Sequence, residues 1–245
     1  MTRPGTDGYL ICATPRTGST LLCGLLTSSG VAGHPASYFN RRGLHDYAET
    51  WQIDRPRDGR IDRTYLRAAT AAGTTPNGVF AARIMAESLP ELISDLAADS
   101  PPADSELELL SSRFGRLRFV HLRRGDVVAQ AVSWAKALQT HFWHPHEAVR
   151  PGGVAPHYDE QLIGRLVTAI EQFEEAWADW FTAQGVVPHR VTYEELSADP
   201  VDTAHGVLDH LGLQLPAGRE LVVGHRKQAD RVNSDWVERF GSHRA

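Results

Sequence analysis

The chain has 245 residues, 42% of them hydrophobic, enough apolar material for one large domain with a sizeable core. A formal net charge of −5 argues against a general nucleic-acid binder, and two cysteines in apolar contexts, Cys12 and Cys23, read as reduced core thiols and imply no disulfide framework. The polar start, Met1 to Asp7, runs into an apolar stretch too short for a leader or a membrane span, so a cytoplasmic enzyme is the expectation.

In chain order, the pattern predicts a strand over Tyr9–Ala13, a tight loop, and a helix entered by Leu21 to Leu26. Between Gly30 and Asn77 the sequence turns polar and loses any sustained period, which suggests an acceptor-binding insertion at 34–77 within a single domain spanning 1–245. A strand over Gly78–Ile84 follows, then a Pro101-Pro102 loop, a strand over Leu117–Leu122 and a helix over Asp126–Leu138. Beyond a loop at Pro145–Pro156, a helix over Asp159–Ala183 carries Leu166, Ile170, Phe173 and Trp177 at spacings of three and four, a core stripe. The last strand spans Val186–Thr192. Strands alternating with helices predict an α/β fold, a P-loop-like three-layer sandwich with a central mainly parallel sheet flanked by helices.

Two strand-to-helix turns carry the chemistry. The first, Ala13-Thr14-Pro15-Arg16-Thr17-Gly18-Ser19-Thr20, opens a helix, and a helix N-terminus offers unpaired N–H groups and the positive end of its dipole to an anion. On the pattern G-x-x-x-x-G-K-[ST], Gly18 and Thr20 fall in register, but Ala13 replaces the first Gly and Ser19 the Lys. That Lys serves the β- and γ-phosphates of a triphosphate, so its absence points to a ligand with one phosphate at that end. At the second turn, Arg123-Arg124-Gly125-Asp126 precedes a helix carrying Ser133, and Arg124 with Ser133 can converge on a second phosphate. A solvated arginine pair is the alternative.

These segments, with Gly30-Val31-Ala32-Gly33, Thr75-Pro76-Asn77-Gly78, Gln139-Thr140, Trp143, Gln228-Ala229-Asp230 and Trp236-Val237, resemble the bacterial trehalose 2-sulfotransferase family of enzymes that use 3′-phosphoadenosine 5′-phosphosulfate (PAPS). The resemblance implies PAPS as co-substrate, with Arg16, Thr17, Gly18, Ser19 and Thr20 on its 5′-phosphosulfate and Arg124 and Ser133 on its 3′-phosphate. It also implies a homodimer. Arg16 and the loop amides then stabilise the departing bisphosphate without a metal, and Ser19 reaches the bridging oxygen or the sulfonate. Arg226 and Lys227, in a cationic run near the C-terminus, either close over the nucleotide or form a solvated run. Arg83, at a strand end where the family has Lys, either reaches the sulfonate or the acceptor or is a surface arginine.

Two departures concern the acceptor. The family's catalytic glutamate falls on Ser37, which leaves His34, an imidazole on the same short loop, as the replacement base, with a functionless loop histidine as its rival. Ser37, Tyr38 and Phe39 are expected to contact the acceptor, and Trp51, Trp134 and Trp143 are further candidates for an aromatic cleft. Pro15 stands where the family contacts the disaccharide through glutamine, so trehalose itself is not the expected acceptor. His141, His144, His146 and Glu147 are assigned no metal. The sequence reading is therefore a PAPS-dependent sulfotransferase acting on a hydroxyl of a carbohydrate or specialised small-molecule metabolite. Its alternatives are a P-loop kinase or nucleotide hydrolase and a non-catalytic nucleotide-binding protein.

Overall fold

The computed structural model describes residues 7–140, 155–224 and 231–242, with backbone only for 231 and 232. Four parallel strands, β1 (Gly8–Ala13), β2 (Phe80–Met85), β3 (Leu117–Arg123) and β4 (His189–Thr192), form a sheet in the order β2-β1-β3-β4. The register sets Gly8 beside Phe80 on one side and Leu117 on the other, so all strands point their C-terminal ends the same way. Every residue of β1 is buried, as expected for a central strand covered on both faces.

Strand alternation divides the core into two layers. Leu10 and Cys12, with Phe80, Ala82, Ile84 and Phe119, face one cluster that includes Leu92, Leu110 and Trp177. Tyr9, Ile11 and Ala13, with Ala81, Val120 and Leu122, face the other, against Leu22, Leu25 and Leu208. The first layer is built by α2 (Leu44–Thr50), α3 (Arg63–Gly73), α4 (Leu89–Ala98), α5 (Glu106–Phe114) and the C-terminal half of α7 (Glu160–Ala183). The second is built by α1 (Ser19–Ser28), α8 (Tyr193–Ala198) and α9 (Pro200–Leu211). A third cluster joins α6 (Val127–Thr140), the N-terminal half of α7, and α10 (Arg231–Ser242). The fold is thus a P-loop-like α/β sandwich with a central parallel sheet flanked by helices.

Three sequence expectations shift. β2 starts at Phe80 rather than Gly78 because residues 75–78 turn: Gly78 N–H donates to the Thr75 carbonyl, and Thr75 Oγ1 donates to Asn77 Oδ1 at 2.6 Å. β4 starts at His189 because Val187 is exposed and Pro188 has no N–H to give a ladder. The stretch 34–77, expected to be irregular, contains α2 and α3, and its Phe39, Leu44 and Tyr65 lie in the first core layer. The buried face of α3 is Tyr65, Ala69 and Gly73 at intervals of four, and with two of the three so small there is little apolar period to read.

Candidate active site

The loop between β1 and α1 lies at the carboxyl end of the sheet, where ligands bind in open α/β folds. Its backbone is wound tightly: Arg16 has φ +69° and Gly18, the residue before α1, φ +82°. A Cβ on Gly18 would stand 3.0 Å from the Tyr193 ring, so this position needs glycine for both its backbone conformation and its neighbour. No side chain caps α1. Among the described residues, the backbone N–H groups of Thr17, Gly18, Ser19 and Thr20 have no hydrogen-bond partner. Four such donors at a helix N-terminus form a ready anion site.

The loop is held from beneath by groups spread along the chain. Thr17 Oγ1 donates to the Thr14 carbonyl at 2.9 Å, and the buried Gln130 of α6 donates through Nε2 to Thr14 Oγ1 at 2.9 Å and the Pro15 carbonyl at 2.7 Å. Thr14 Oγ1 in turn donates to Glu174 Oε1 of α7 at 3.2 Å, and Trp177 Nε1 donates to the Ala13 carbonyl at 3.1 Å. Glu174 also receives Arg123 Nε at 2.7 Å and lies 3.3 Å from His121 Nε2. Burial raises the Glu174 carboxyl, but contact with His121, the Arg123 guanidinium and the Thr14 hydroxyl more than offset this and hold it below the usual carboxylate range. Sequence reasoning missed Glu174 and Gln130. Both sit within helical patterns, and only the fold brings them under the loop.

The two expected phosphate grips meet. Arg16 Nε donates to Ser133 Oγ of α6 at 3.0 Å, and Arg124 Nη1 lies 3.5 Å from the Arg16 carbonyl. The Arg124 guanidinium stacks 4.3 Å over the Tyr193 ring, and its buried Nε has no hydrogen-bond partner among the described residues. Desolvation lowers its proton affinity, opposed by the charges of Tyr193, Asp126 and Glu194. An unpartnered, partly desolvated guanidinium nitrogen beside four open amides suits an anion phosphorylated at two places. Arg226 and Lys227 lie outside the described residues, as do Trp143, His141, His144, His146 and Glu147. Among the described residues, no group of three or more His, Cys, Asp or Glu is placed to hold a metal, and no helix is long and apolar enough to cross a membrane.

Among the residues expected to contact the acceptor, the structure ties Arg83 and Ser37 together. Arg83, half-buried on β2, donates through Nε to Ser37 Oγ at 2.8 Å and through Nη1 to Ser19 Oγ and Thr20 Oγ1 at 3.1 Å each. It is no free surface arginine but a bridge from the loop to the segment after Gly33. Gly33, at φ +68°, runs so close to β2 that a Cβ would stand 2.6 Å from that of Ala81. His34 donates its N–H to the Gly73 carbonyl at 2.9 Å and accepts Tyr38 Oη on its own carbonyl at 2.6 Å. Its imidazole forms no hydrogen bond to the loop, to Ser37 or to Arg83 among the described residues.

The aromatics expected at an acceptor cleft are placed differently from one another. Phe39 is buried and packs against Phe114 at 5.7 Å, so its position after a loop does not expose it. Tyr38 is buried, its hydroxyl spent on His34. Trp51 is half-buried and stacks on Tyr47 at 5.1 Å, whereas Trp134 packs on Phe173 of α7. Tyr47, not singled out from the sequence, is half-buried and near enough to Arg83 for the guanidinium to favour its phenolate, although burial, the larger effect, raises it overall.

A loop of this build on a parallel sheet, with open amides at a helix start and Arg16, Ser133 and Arg124 beside it, is an anion-binding arrangement. The chain belongs to the Stf0 sulphotransferase family, whose model matches residues 8–243. It is 30% identical over 258 residues to the trehalose 2-sulfotransferase of Mycolicibacterium smegmatis, covering 95% of this chain and 93% of the relative. It is 28% identical over 253 residues to the trehalose 2-sulfotransferase of Mycobacterium tuberculosis, with the same coverage of 95% and 93%. A solved structure, the sulfotransferase domain of the Synechococcus PCC 7002 olefin synthase, is similar at TM-score 0.49 and 15% identity over 99% of this chain and 90% of that chain.

Proposed function

We propose that this sulfotransferase takes its sulfuryl group from PAPS and passes it to a hydroxyl of a carbohydrate or specialised small molecule. The observation that carries the reading is the pairing of the open amides of residues 17–20 with Arg16, Ser133 and Arg124, two linked anion grips for a donor phosphorylated at its 5′ and 3′ positions. In this reading Thr17, Gly18, Ser19 and Thr20 hold the 5′-phosphosulfate through their N–H groups. Arg124 and Ser133 hold the 3′-phosphate, with Arg226 and Lys227 closing over the nucleotide. PAPS supplies an activated sulfonate on a phosphate leaving group, and the loop dipole with Arg16 favours charge developing on that phosphate.

Arg83 is proposed to face the sulfonate and the acceptor together, because its guanidinium spans Ser19, Thr20 and Ser37. No metal is needed for a donor without a polyphosphate. His34, offered by the sequence as base, is given no part in the proton transfer, since nothing in its hydrogen bonding ties its imidazole to the loop. Pro15 provides no side-chain hydrogen bond to a sugar, which supports an acceptor other than trehalose. The protein is proposed to act in the cytoplasm as a homodimer, which light scattering checks.

Thermal melting with ligands tests the donor. Adenosine 3′,5′-bisphosphate is expected to raise the melting temperature in a saturable way, and ATP with Mg²⁺ to do so far less. A clear shift with ATP and Mg²⁺ alone would overturn the proposal.

A further inference from the structure

The two strand-to-helix turns at the carboxyl end of the sheet use their backbone amides in opposite ways. At the first, the N–H groups of residues 17–20 are open among the described residues. At the second they are taken: Glu194 of α8 accepts the Gly125 N–H on both carboxylate oxygens at 3.2 Å and the Asp126 N–H at 3.4 Å, and Asp126 Oδ1 accepts the Ala129 N–H at 2.8 Å. Carboxylates of the chain itself thus fill the place that a bound anion takes at a helix start. The second turn offers a ligand the Arg124 side chain instead of its amides.

This arrangement follows from how β3 and β4 leave the sheet. Arg123 pairs with Thr192 at the last step of the ladder. The two chains then stay side by side for two further residues, with the Arg124 guanidinium 4.3 Å over the Tyr193 ring and the Gly125 N–H on Glu194. The start of α8 is fixed by a capping box in which Thr192 N–H and Oγ1 donate to Glu195 Oε2 at 3.0 and 2.8 Å, and Glu195 N–H donates to Thr192 Oγ1 at 3.2 Å. Tyr193 therefore supports the guanidinium, and Glu194 holds the backbone from which it extends.

Two effects of Glu194 oppose each other. An arginine gives up much rotamer freedom when it holds one phosphate geometry, and a side chain set in advance lowers that cost on binding. The charge acts the other way, because a carboxylate near enough to favour the Arg124 cation also repels a phosphate placed on it. A ligand gains from the hydrogen bonds of Glu194 and not from its charge.

We infer that Glu194 is a positioning residue for the 3′-phosphate: by holding the turn at Gly125 and Asp126 it aims Arg124 across Tyr193, and so sets the preference for a nucleotide phosphorylated at both positions. The inference rests on the donor reading above and deepens it.

The test is calorimetric titration of the full chain with adenosine 3′,5′-bisphosphate and with adenosine 5′-phosphate, in the parent, Glu194→Ala and Glu194→Gln. Glu194→Ala is expected to lose at least about tenfold of the preference for the bisphosphate, with the monophosphate affinity changed by less than about threefold. Glu194→Gln keeps an oxygen that accepts the two N–H groups and drops the charge, so its preference is expected to stay within about threefold of the parent's. Full retention of the preference in Glu194→Ala overturns the inference, and so does an equal loss for both ligands. A Gln variant as impaired as the Ala variant overturns it as well, since the charge would then be what matters. Should Glu194→Ala not fold, Glu194→Asp withdraws the carboxylate by one methylene and is expected to lose at least about threefold of the preference, full retention again overturning the inference. A parent that binds both nucleotides equally sinks the donor reading instead, so the two failures are told apart.

Discussion

The loop proposed to hold the donor and the segment proposed to hold the acceptor differ in how they are held. The loop at residues 14–20 keeps its own backbone polar groups open and is braced from below by side chains of α6 and α7, more than a hundred residues away. The acceptor segment from Gly33 to Asn77 is instead part of the core: Phe39, Leu44 and Tyr65 are buried in it, and Asp95 of α4 ties it down by accepting from Arg41, Arg60 Nε at 3.1 Å and the Ile61 N–H at 2.9 Å. Substitutions around the loop should therefore act on ligand affinity and turnover before stability. Substitutions in the acceptor segment should act on stability first.

The largest expected effect is at that tie. Asp95→Ala leaves Arg60 and the buried Ile61 N–H without their acceptor and Arg41 with Glu91 alone, and should cost about 3 kcal/mol, measured by urea denaturation, so that any loss of turnover follows the loss of folded protein. Arg83→Met should lower turnover about 10²–10³-fold, measured with labelled donor, with little change in melting temperature, because it removes the cation that links the loop to Ser37 and is proposed to face the acceptor. An Arg83→Met protein that melts early but turns over normally once folded would reverse the contrast between the two regions.

Smaller effects sharpen it. Glu174→Gln should cost about 1–3 kcal/mol near neutral pH and weaken binding of the bisphosphate, because Thr14, Arg123 and His121 lose a charged acceptor. Its carboxyl is held below the ordinary range, so its stabilisation is present above the unfolded carboxylate pKa and is lost as pH falls through the depressed folded value. The stability gap between parent and variant should accordingly close in acid, which denaturation at a series of pH values checks. Gly18→Ala should cost about 1–2 kcal/mol, through its positive φ and the Tyr193 ring 3.0 Å from the new Cβ, with a parallel loss of donor affinity by calorimetry.

What could be read from the sequence follows the same division. The loop was legible because the chemistry of an anion cradle fixes residues next to one another: Gly18 for its backbone, then Ser19 and Thr20 at the helix start. Strand runs such as Leu10–Ala13 were legible because burial on both faces leaves an unbroken apolar word. α3 was not, since only Tyr65 of its buried face is a large apolar residue, beside Ala69 and Gly73, and neither were the braces at Gln130 and Glu174, whose meaning depends on which helix the fold lays under the loop. Phe39 was assigned to a surface because it follows a loop, but a residue after a loop can still point into the core, as its contact with Phe114 shows. The role of Arg83 stayed open in sequence because an arginine at a strand end has equally good partners in water and in a site. In the structure its partners are Ser19, Thr20 and Ser37.

The central claim is that the two anion grips hold two different phosphates of one nucleotide. Calorimetric titration of the parent and of Arg124→Ala with adenosine 3′,5′-bisphosphate and with adenosine 5′-phosphate tests it most directly. The account predicts that the substitution weakens the bisphosphate by about 10–100-fold and leaves the monophosphate nearly unchanged, so that the advantage of the 3′-phosphate disappears. An equal loss for both ligands would contradict it.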